Sequence, residues 1–256
     1  MVDPAFKPAT LITGASSGLG AEFARQCAAR GDRLVLVARR KDRLEQIAAN
    51  IGGAEIIVAD LSKPGAATKI VGEAIARGLW VRTLINNAGF GLIGEFEELS
   101  LPRQLEMIDL NVRALTNLSF VVLNDMRLRG EGAILNVAST AAFQPGPKMA
   151  VYFATKAFVL SFTEALHEEM KPHGIKVSCL CPGPTRTEFG DVAGFGGNGL
   201  FDRVAMNSPE VVRAGLKGLD KNHAVIVPGW MNKVTAASTR FAPRSIVRKI
   251  AGSIKY

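Results

Sequence analysis

The sequence has few of the residues that build metal centres and disulfide frameworks. It contains 3 cysteines and 3 histidines in 256 residues, and Cys179 and Cys181 do not form a CxxC pair. Such a low content argues against a scaffold held together by disulfides. We interpret Cys27, Cys179 and Cys181 as small buried residues, and we expect no metal site.

Long hydrophobic runs are also missing. No stretch approaches the roughly 20 apolar residues that a membrane-spanning helix needs. No apolar stretch of signal-peptide length precedes the first glycine motif at Gly14. With 48% hydrophobic residues, the chain can still bury a sizeable core. These features lead us to expect a cytoplasmic protein.

Acidic residues are absent from the end of the chain. The formal net charge is +8, and six Lys/Arg but no Asp or Glu lie between Met231 and Tyr256. The rest of the chain is therefore nearly balanced in charge. Because its basic residues do not form a patch interleaved with aromatic residues, we do not expect nucleic-acid binding.

Strand-like and helix-like runs alternate along residues 1–230. Predicted strands cover 8–13, 33–38, 55–59, 83–85, 133–137, 176–181 and 224–227. Predicted helices cover the stretch from Gly20 to Arg30, then 41–51, 64–77, 102–128, 152–170 and 209–219. Strand-helix repeats with short links predict a parallel sheet covered on both faces. We predict one α/β domain over residues 1–230, with a parallel sheet of about seven strands, followed by a tail over 231–256.

The residues with distinctive chemistry follow the ends of these strands, where such sheets bind ligands. Gly14-Ala15-Ser16-Ser17-Gly18-Leu19-Gly20 lies between the first strand and the first helix. Glycines there allow the backbone to approach a pyrophosphate at a helix N-terminus. The same stretch matches the GxSxG elbow of serine hydrolases, which is a second interpretation. Its weakness is that none of the three histidines has an obvious acidic partner.

Arg39 and Arg40 follow the second strand, and Ala38 stands where a site selecting NAD would place an acid. Arginine binds a phosphate through a planar, bidentate fork. The pair predicts NADP(H) as the cofactor, and two solvated charges at a strand end are the simpler alternative.

Tyr152 and Lys156 are spaced i and i+4 in a helical run, so their side chains emerge on one face. A nearby ammonium favours a phenolate. Lowering a phenol pKa from about 10 to about 7 requires roughly 4 kcal/mol. The pair therefore suits acid-base chemistry, although the same spacing also occurs by chance in a core phenol beside a solvated amine.

Several motifs together resemble the short-chain dehydrogenases/reductases, in the branch with hydroxysteroid and ketoacyl reductases. They are Thr13-Gly14-x-x-x-Gly18-x-Gly20, Asp60-Leu61, Asn86-Asn87-Ala88-Gly89, Asn111, Ser139, Tyr152-x-x-x-Lys156 and Pro182-Gly183. The resemblance implies a doubly wound Rossmann-type sheet of about seven strands, and an oxidoreductase that interconverts a ketone or aldehyde and an alcohol with a nicotinamide cofactor. A non-catalytic nucleotide-binding or sensing protein of the same fold is the alternative.

The resemblance also implies a role for each motif. Tyr152 would be the general acid/base, and Lys156 would bind the nicotinamide ribose and lower the pKa of Tyr152. Ser139 would hold the substrate oxygen, and Asn111 would position a water. Further cofactor contacts are implied for Gly14, Ser16, Ser17, Gly18, Leu19, Gly20, Asp60, Leu61, Asn87, Ala88, Gly89, Pro182, Gly183, Thr185 and Thr187.

Two segments point to partners. Residues 184–207 are long, glycine-rich and dotted with Phe189, Phe195, Leu200 and Phe201, so we predict a lid over a lipophilic substrate, with Phe143, Met149 and Phe153 in the same pocket. In the tail, apolar residues of 245–256 recur at helical spacing between cations. This basic amphipathic helix could lie on an anionic membrane, cover a second subunit or dock on its own body. The family suggests a homodimer or homotetramer through helices 102–128 and 152–170.

Overall fold

The strand-like runs form one parallel sheet in a computed structural model that describes residues 5–188, 190 and 205–253. The strands are β1 (Lys7–Thr13), β2 (Leu34–Ala38), β3 (Glu55–Val58), β4 (Leu79–Asn86), β5 (Gly132–Val137), β6 (Ile175–Leu180) and β7 (Val225–Ile226). They lie in the order β3-β2-β1-β4-β5-β6-β7. The order reverses between β1 and β4, which confirms the predicted doubly wound sheet.

Helices cover both faces of this sheet. They are α1 (Gly18–Ala29), α2 (Lys41–Asn50), α3 (Ala66–Ala76), α4 (Leu101–Ile108), α5 (Leu115–Arg129), α6 (Ala150–Met170), α7 (Ser208–Asp220), α8 (Trp230–Ser238) and α9 (Arg244–Ser253). One core cluster joins the sheet to α1, α2 and α7, and a second joins it to α3, α5 and α6. A sheet buried on both faces explains why all five residues of β2 are apolar and buried.

The pairing of the strands brings their carboxyl ends to one edge of the sheet. Thr13 lies opposite Val37, the last β1 residue paired with β4 is Ile12, opposite Ile85, and Asn86 lies opposite Asn136. The segments that follow β1, β2, β4 and β5 therefore begin side by side. These are the segments that carry the glycine turn, the arginine pair, Asn87 and Ser139.

The fourth strand is longer than the sequence predicts. It begins at Leu79, because the left-handed backbone of Gly78, with φ +71°, ends the preceding helical segment. The exposed Arg82 interrupts the apolar run, which hid the first half of the strand. The register with β1 also shifts between Ala9 and Thr10.

The single helix predicted over 102–128 is three consecutive helical segments. Between α4 and α5 lies a π-helical stretch, Asp109–Ala114, which contains Asn111. A π turn carries an extra residue, so it redirects the side chains that follow it, and such turns are frequent at functional sites. The periodicity of the sequence alone did not reveal this insertion.

The C-terminal segment contains one more helix than predicted. The helix α8 was missed, and α9 covers most of the helix predicted over 245–256, whose residues 254–256 lie outside the described part. Of the predicted lid over 184–207, residue 189 and residues 191–204 lie outside it as well. The domain boundary at residue 230 stays a prediction. No helix within the described residues is both long and apolar enough to cross a bilayer.

Candidate active site

The glycine turn after β1 is tightly closed. Gly14 and Gly18 have φ +64° and +53°, which side chains rarely adopt. A Cβ on Gly20 would lie 2.1 Å from the Gly14 carbonyl oxygen, so only glycine fits there. The side chain of Ser17, which precedes α1, caps no helix amide. The first-turn amides of α1 therefore remain directed at the loop, where they suit a phosphate.

Asn87 fastens the end of β4 to the end of β1. Its Nδ2 donates to the Thr13 carbonyl oxygen at 2.9 Å. The Thr13 hydroxyl accepts from the backbone amides of Asn87 and Ala88, both at 3.0 Å. These bonds fix the Asn87-Ala88-Gly89 segment against the glycine turn, as expected of residues that share one cofactor site.

Arg40 lies beside Ser16 at the mouth of this turn. Its Nε and Nη2 donate to the Ser16 hydroxyl at 3.4 and 3.3 Å, and its Nη2 forms an ion pair with Glu188 at 3.1 Å. Arg39 forms an ion pair with Glu106 at 3.3 Å. The structure thus brings Arg40 to the glycine turn, whereas Arg39 contacts the α4 helix.

Asp60 follows β3 at the same edge. Partial burial opposes its ionisation, but Ser62 donates to Asp60 Oδ1 from its amide at 3.0 Å and its hydroxyl at 2.7 Å. Those bonds and the charges of Arg39 and Lys63 hold the pKa of Asp60 below its ordinary value. Asp60 is therefore an anion that accepts hydrogen bonds, as the edge of an adenine requires. Leu61 is buried in the core beside it.

Tyr152 and Ser139 come together at the end of β5. Ser139 precedes a 3-10 turn, Thr140–Phe143, and its hydroxyl accepts from the Ala141 amide at 3.1 Å. A side-chain hydrogen bond joins Ser139 to Tyr152, and the Tyr152 ring packs edge-on against Phe153. Two hydroxyl groups thus converge on one point at the strand end.

Lys156 is buried behind this pair. Its Nζ donates to the Val137 carbonyl oxygen at 2.9 Å and lies 5.8 Å from the centre of the Tyr152 ring. A Cβ on Gly89 would lie 2.9 Å from Asn111 Oδ1 and 3.5 Å from Lys156 Nζ. Gly89 is therefore the point at which these two polar groups meet the segment after β4.

The π-helical residue Asn111 is fixed by three hydrogen bonds. Its Oδ1 accepts from the Phe90 amide at 3.2 Å, and its Nδ2 donates to the Phe90 carbonyl at 3.0 Å and to the Thr155 hydroxyl at 3.1 Å. The sequence did not single out Thr155 or the Phe90 backbone as partners. Asn111 thereby ties α6 to the segment after β4.

The pKa of Tyr152 departs from the sequence prediction. Burial raises it to about 12, and the hydrogen bond from Ser139 lowers it by less. The predicted lowering by Lys156 is thus wrong for the protein alone, because desolvation of the phenolate outweighs neighbouring groups. At neutral pH the phenol of Tyr152 keeps its proton.

Burial also changes Lys156. It lowers the pKa of the ammonium to about 8, a shift that the nearby thiols of Cys179 and Cys181 oppose. Those thiols lie 3.6 Å apart, with Cys179 on β6 and Cys181 directly after it, and the pKa of Cys181 is raised well above its ordinary value by its contact with Cys179 and by burial. All three cysteines are buried and free, as the sequence predicts.

The turn after β6 closes the site from the other side. The Thr185 hydroxyl donates to the Gly183 carbonyl at 2.9 Å, and the position of a Cβ on Gly18 lies 3.1 Å from Thr187 Cβ. The Pro182 carbonyl accepts from the Thr140 amide at 2.8 Å. The structure thus brings the predicted residues of this turn to the glycine turn and to the segment after β5.

Asn232 on α8 supports this turn and was missed by sequence reasoning. A Cβ on Gly183 would lie 2.5 Å from Asn232 Oδ1, so the side chain covers that glycine. Its Nδ2 donates to the Pro228 carbonyl at 2.9 Å. Only recognition of α8 as a helix could have placed Asn232 near the site.

A cavity of about 170 Å³ adjoins Tyr152. Its apolar lining includes Leu92, Phe96, Leu99, Met107, Pro147, Met149 and Val151. Gly94 donates its amide to the Lys148 carbonyl at 2.9 Å, and Lys148 pairs with Glu95 at 3.5 Å, which joins the two walls. Of the pocket residues expected from the sequence, Met149 lines this cavity. Phe153 packs on Gly146 instead, and Phe143 packs beside the cysteine strand.

The structure does not support the hydrolase interpretation of Ser16. The hydroxyl of Ser16 accepts from Arg40, and in the part of the chain that the structure describes no histidine hydrogen-bonds to it. His167 contacts the Val177 carbonyl within β6 at 2.7 Å. Over the same residues, no three His, Cys, Asp or Glu side chains are grouped as a metal site would require.

Comparison with known proteins agrees with this geometry. The family model for the short chain dehydrogenases matches residues 8–193. Sulfoacetaldehyde reductase 2 from Chromohalobacter salexigens is 36% identical over 184 residues, which cover 70% of this chain and 73% of that protein. A very-long-chain 3-oxoacyl-CoA reductase from Anas platyrhynchos is 29% identical over 90% of this chain and 76% of its own.

A solved structure extends the similarity to nearly the whole chain. A short-chain dehydrogenase from Sphingobium yanoikuyae, in complex with NADPH, is 35% identical, with a TM-score of 0.80 over 98% of this chain and 100% of that one. The chain therefore belongs to the short-chain dehydrogenase/reductase family, and it is an oxidoreductase. This confirms the resemblance read from the motifs.

The buried Lys156 yields a prediction about stability. Its pKa in the folded chain, about 8, lies below its ordinary 10.5. Folding is therefore penalised below pH 8, where Lys156 is charged in both states, and the penalty fades as the pH rises toward 10.5. We expect Lys156→Met to raise the free energy of unfolding at pH 7, by at most about 3 kcal/mol, and to lose this advantage by pH 10.5.

Urea denaturation between pH 7 and 10.5 measures this difference. The exposed Lys171 at the end of the same helix provides the matched control. Lys171→Met should track the wild type at every pH. A Lys156→Met advantage that is absent at pH 7, or that stays constant across the range, would contradict the prediction.

Proposed function

We propose that the chain interconverts a ketone or aldehyde and an alcohol with NADP(H), and that Tyr152 is the general acid/base. The observation that carries this proposal is the convergence of the Ser139 and Tyr152 hydroxyls, with Lys156 buried behind them. The residues present fit the nicotinamide cofactor that the family implies. The crowding of Gly20 against Gly14 leaves a bare backbone at the uncapped start of α1, which suits the pyrophosphate.

The cofactor, when bound, supplies the hydride. Ser139 and Tyr152 would donate hydrogen bonds to the substrate oxygen, where negative charge grows during reduction. Tyr152 would then pass its phenolic proton to that oxygen. Because burial keeps the phenol protonated at neutral pH, Tyr152 holds the proton that reduction of a carbonyl consumes.

The other family residues would support this transfer. Lys156 would bind the nicotinamide ribose, and its cation would stabilise the phenolate that Tyr152 becomes when it gives up its proton. Asn111 would position a water for proton return. Its Oδ1 and Lys156 Nζ both approach Gly89, which supports a shared polar path. Asp60 would contact the edge of the adenine, and Thr187 would contact the carboxamide of the nicotinamide. Asn87 would lie beside the cofactor.

Tyr152→Phe tests the reaction directly. Removing the proton donor should lower kcat by about 10²–10⁴-fold while leaving the affinity for NADPH within about twofold, a margin of roughly 0.4 kcal/mol. Steady-state NADPH oxidation and a fluorescence titration measure the two quantities. Wild-type turnover in the variant would contradict the proposal. NADPH binding without turnover of any carbonyl by the wild type would favour the non-catalytic alternative.

The preference for NADP(H) rests on Arg40. Its guanidinium already binds the Ser16 hydroxyl and the Glu188 carboxylate, so it lies at the glycine turn with hydrogen-bonding geometry for an anion. The related Sphingobium dehydrogenase was solved with NADPH. Arg39 pairs with Glu106 and contributes charge near Asp60, which makes it the weaker contact.

Arg40→Gln should weaken NADPH binding by about 10- to 150-fold, since one charge-assisted hydrogen bond contributes roughly 1.5–3 kcal/mol. NADH binding should change little. The neighbouring Lys41, which pairs with Glu45 at 3.6 Å, provides the control variant Lys41→Gln. Its affinities for NADPH and for NADH should both equal those of the wild type. Fluorescence titration with each cofactor reads out the preference, and an unchanged ratio in Arg40→Gln would remove Arg40 from the site.

The cavity beside Tyr152 supports a lipophilic substrate. Its volume of about 170 Å³ is close to the ~150 Å³ of an apolar protein cavity that binds benzene. The relatives differ in this respect, since one reduces sulfoacetaldehyde and another very-long-chain 3-oxoacyl-CoA. The apolar side chains, which share the lining with Glu95, Glu97, Gln104 and Lys148, favour a substrate with an alkyl or aryl arm of about six carbons inside the cavity.

A series of straight-chain 2-ketones tests this substrate class. The ratio kcat/KM should rise about fourfold for each added CH₂, equivalent to about 0.8 kcal/mol, and level off near six carbons. Val151→Phe, which fills part of the cavity, should move the plateau to shorter chains without changing NADPH affinity. A ratio that falls with chain length would instead indicate a small polar substrate.

Assembly into a homodimer or homotetramer is supported by exposed apolar residues on the helices named from the sequence. They are Leu101, Leu105 and Ile108 on α4, Phe120 and Leu128 on α5, and Phe158 on α6. The α4 residues recur at i, i+4 and i+7, so they form one stripe on that helix. An unpaired apolar stripe of this kind suits a contact with a second copy. The cytoplasmic location stays a prediction.

A further inference from the structure

The C-terminal helices α8 and α9 expose large apolar side chains that the fold does not use. Trp230 and Phe241 have 74% and 88% of their surface exposed. The other exposed apolar residues are Met231, Val234, Ile246 and Ile250. We name this set of six the C-terminal apolar surface. Exposed apolar residues that are concentrated in one segment mark an interaction surface more often than single ones do.

The helices that carry this surface are anchored to the body by other residues. On α9, Val247 and Ala251 are buried, and a Cβ on Gly252 would lie 3.4 Å from Pro147. On α8, Ala236 is buried and Asn232 covers Gly183. The buried residues of α8 and α9 thus pack on the body of the same chain, which is one of the three roles considered for the tail. The outer face still lacks a partner among the described residues.

The segment that carries the C-terminal apolar surface contains cations and no acidic residues. Lys233, Arg240, Arg244, Arg248 and Lys249 lie on α8, on α9 or between them, and no Asp or Glu follows Asp220 in the sequence. Among the residues that the structure describes, none of these five cations pairs with a carboxylate. The surface is therefore both apolar and uncompensated in charge.

We propose that this surface docks on an anionic lipid membrane. Aromatic and aliphatic side chains flanked by Lys and Arg are the composition that inserts at a lipid interface, and each cation near an anionic surface adds to the attraction. A second copy of the chain fits less well. A symmetric contact would place the same five cations of each subunit against one another, and no acid lies within the segment to neutralise them.

The position of the surface gives docking a consequence. Pro147 lines the cavity beside Tyr152 and also contacts α9 at Gly252. A membrane held against the outer face of α9 would therefore be separated by this one helix from a residue of the cavity wall. That this cavity takes the substrate rests on the proposed function, whereas the docking itself does not.

Trp230 makes the docking directly measurable. The other tryptophan, Trp80, is buried under Arg129 in the core, so it should not respond to lipid. Wild-type protein should sediment with phosphatidylcholine vesicles that contain phosphatidylglycerol, but not with phosphatidylcholine alone. The emission of Trp230 should shift to shorter wavelength and be quenched by brominated lipids, and Trp230→Phe should remove both signals.

Charge variants separate this surface from general basicity. Arg244→Gln with Arg248→Gln and Lys249→Gln should lower the partition coefficient by about a hundredfold, at roughly fivefold per cation. The control replaces Arg213, Lys217 and Lys221 with Gln, which removes the same charge from exposed positions on and just after α7. It should bind vesicles within about twofold of the wild type. Raising the salt concentration should weaken the wild type in the same way as the first variant.

Three results would overturn the proposal. The first is that the wild type does not sediment with anionic vesicles. The second is that the two triple variants bind vesicles equally. The third is that the double variant Ile246→Ser, Ile250→Ser has a lower molar mass in solution than the wild type, and the wild type does not bind vesicles. The last result would assign the surface to a second copy. NADPH titration of the same samples reports on the proposed function separately, so failure of either proposal leaves the other identifiable.

Discussion

The contact between the ends of β1 and β4 is the constraint on which the site depends. The hydrogen bonds between Asn87 and Thr13, which are 74 residues apart in sequence, hold the ends of these two strands together. The sheet order reverses there, so the segments on either side diverge and leave a crevice. The glycine turn, Gly89, Ser139 and the turn after β6 all open into that crevice, and their spacing follows from the strand register rather than from any local motif.

Burial within this crevice serves chemistry at the expense of stability. Lys156 donates a hydrogen bond to the Val137 carbonyl, and its pKa falls to about 8. A core designed only for stability would place an apolar residue there. The same low polarity holds the pKa of Tyr152 high, so the phenol keeps its proton at neutral pH, as the proposed role of proton donor requires. The two shifts have one cause and opposite chemical consequences.

The sequence predicted the sheet and most of the crevice because both leave backbone signatures. Continuous apolar runs such as β2 arise only where both faces are covered, and the Gly14-Gly20 approach tolerates no side chain. The predictions from the sequence that were wrong or incomplete have physical reasons. Arg82 hid half of β4, a π turn has no periodic signature, and α8 exposes Trp230, Met231 and Val234, so its apolar residues do not mark a buried face. The predicted pKa of Tyr152 failed because spacing reveals a neighbouring cation but not the depth of burial.

The substrate is less readable than the cofactor for a related reason. A pyrophosphate is bound by backbone amides, so its requirements appear as glycines at fixed positions. A lipophilic arm is bound by a cavity of suitable volume and apolar lining. Many combinations of side chains can enclose 170 Å³ equally well. The cavity residues Leu92, Met107 and Pro147 come from three separate segments, and no pattern in the sequence connects them. Cofactor chemistry is therefore encoded locally and substrate choice globally. This difference explains how reductases of a sulfonated aldehyde and of a long acyl chain both resemble this chain.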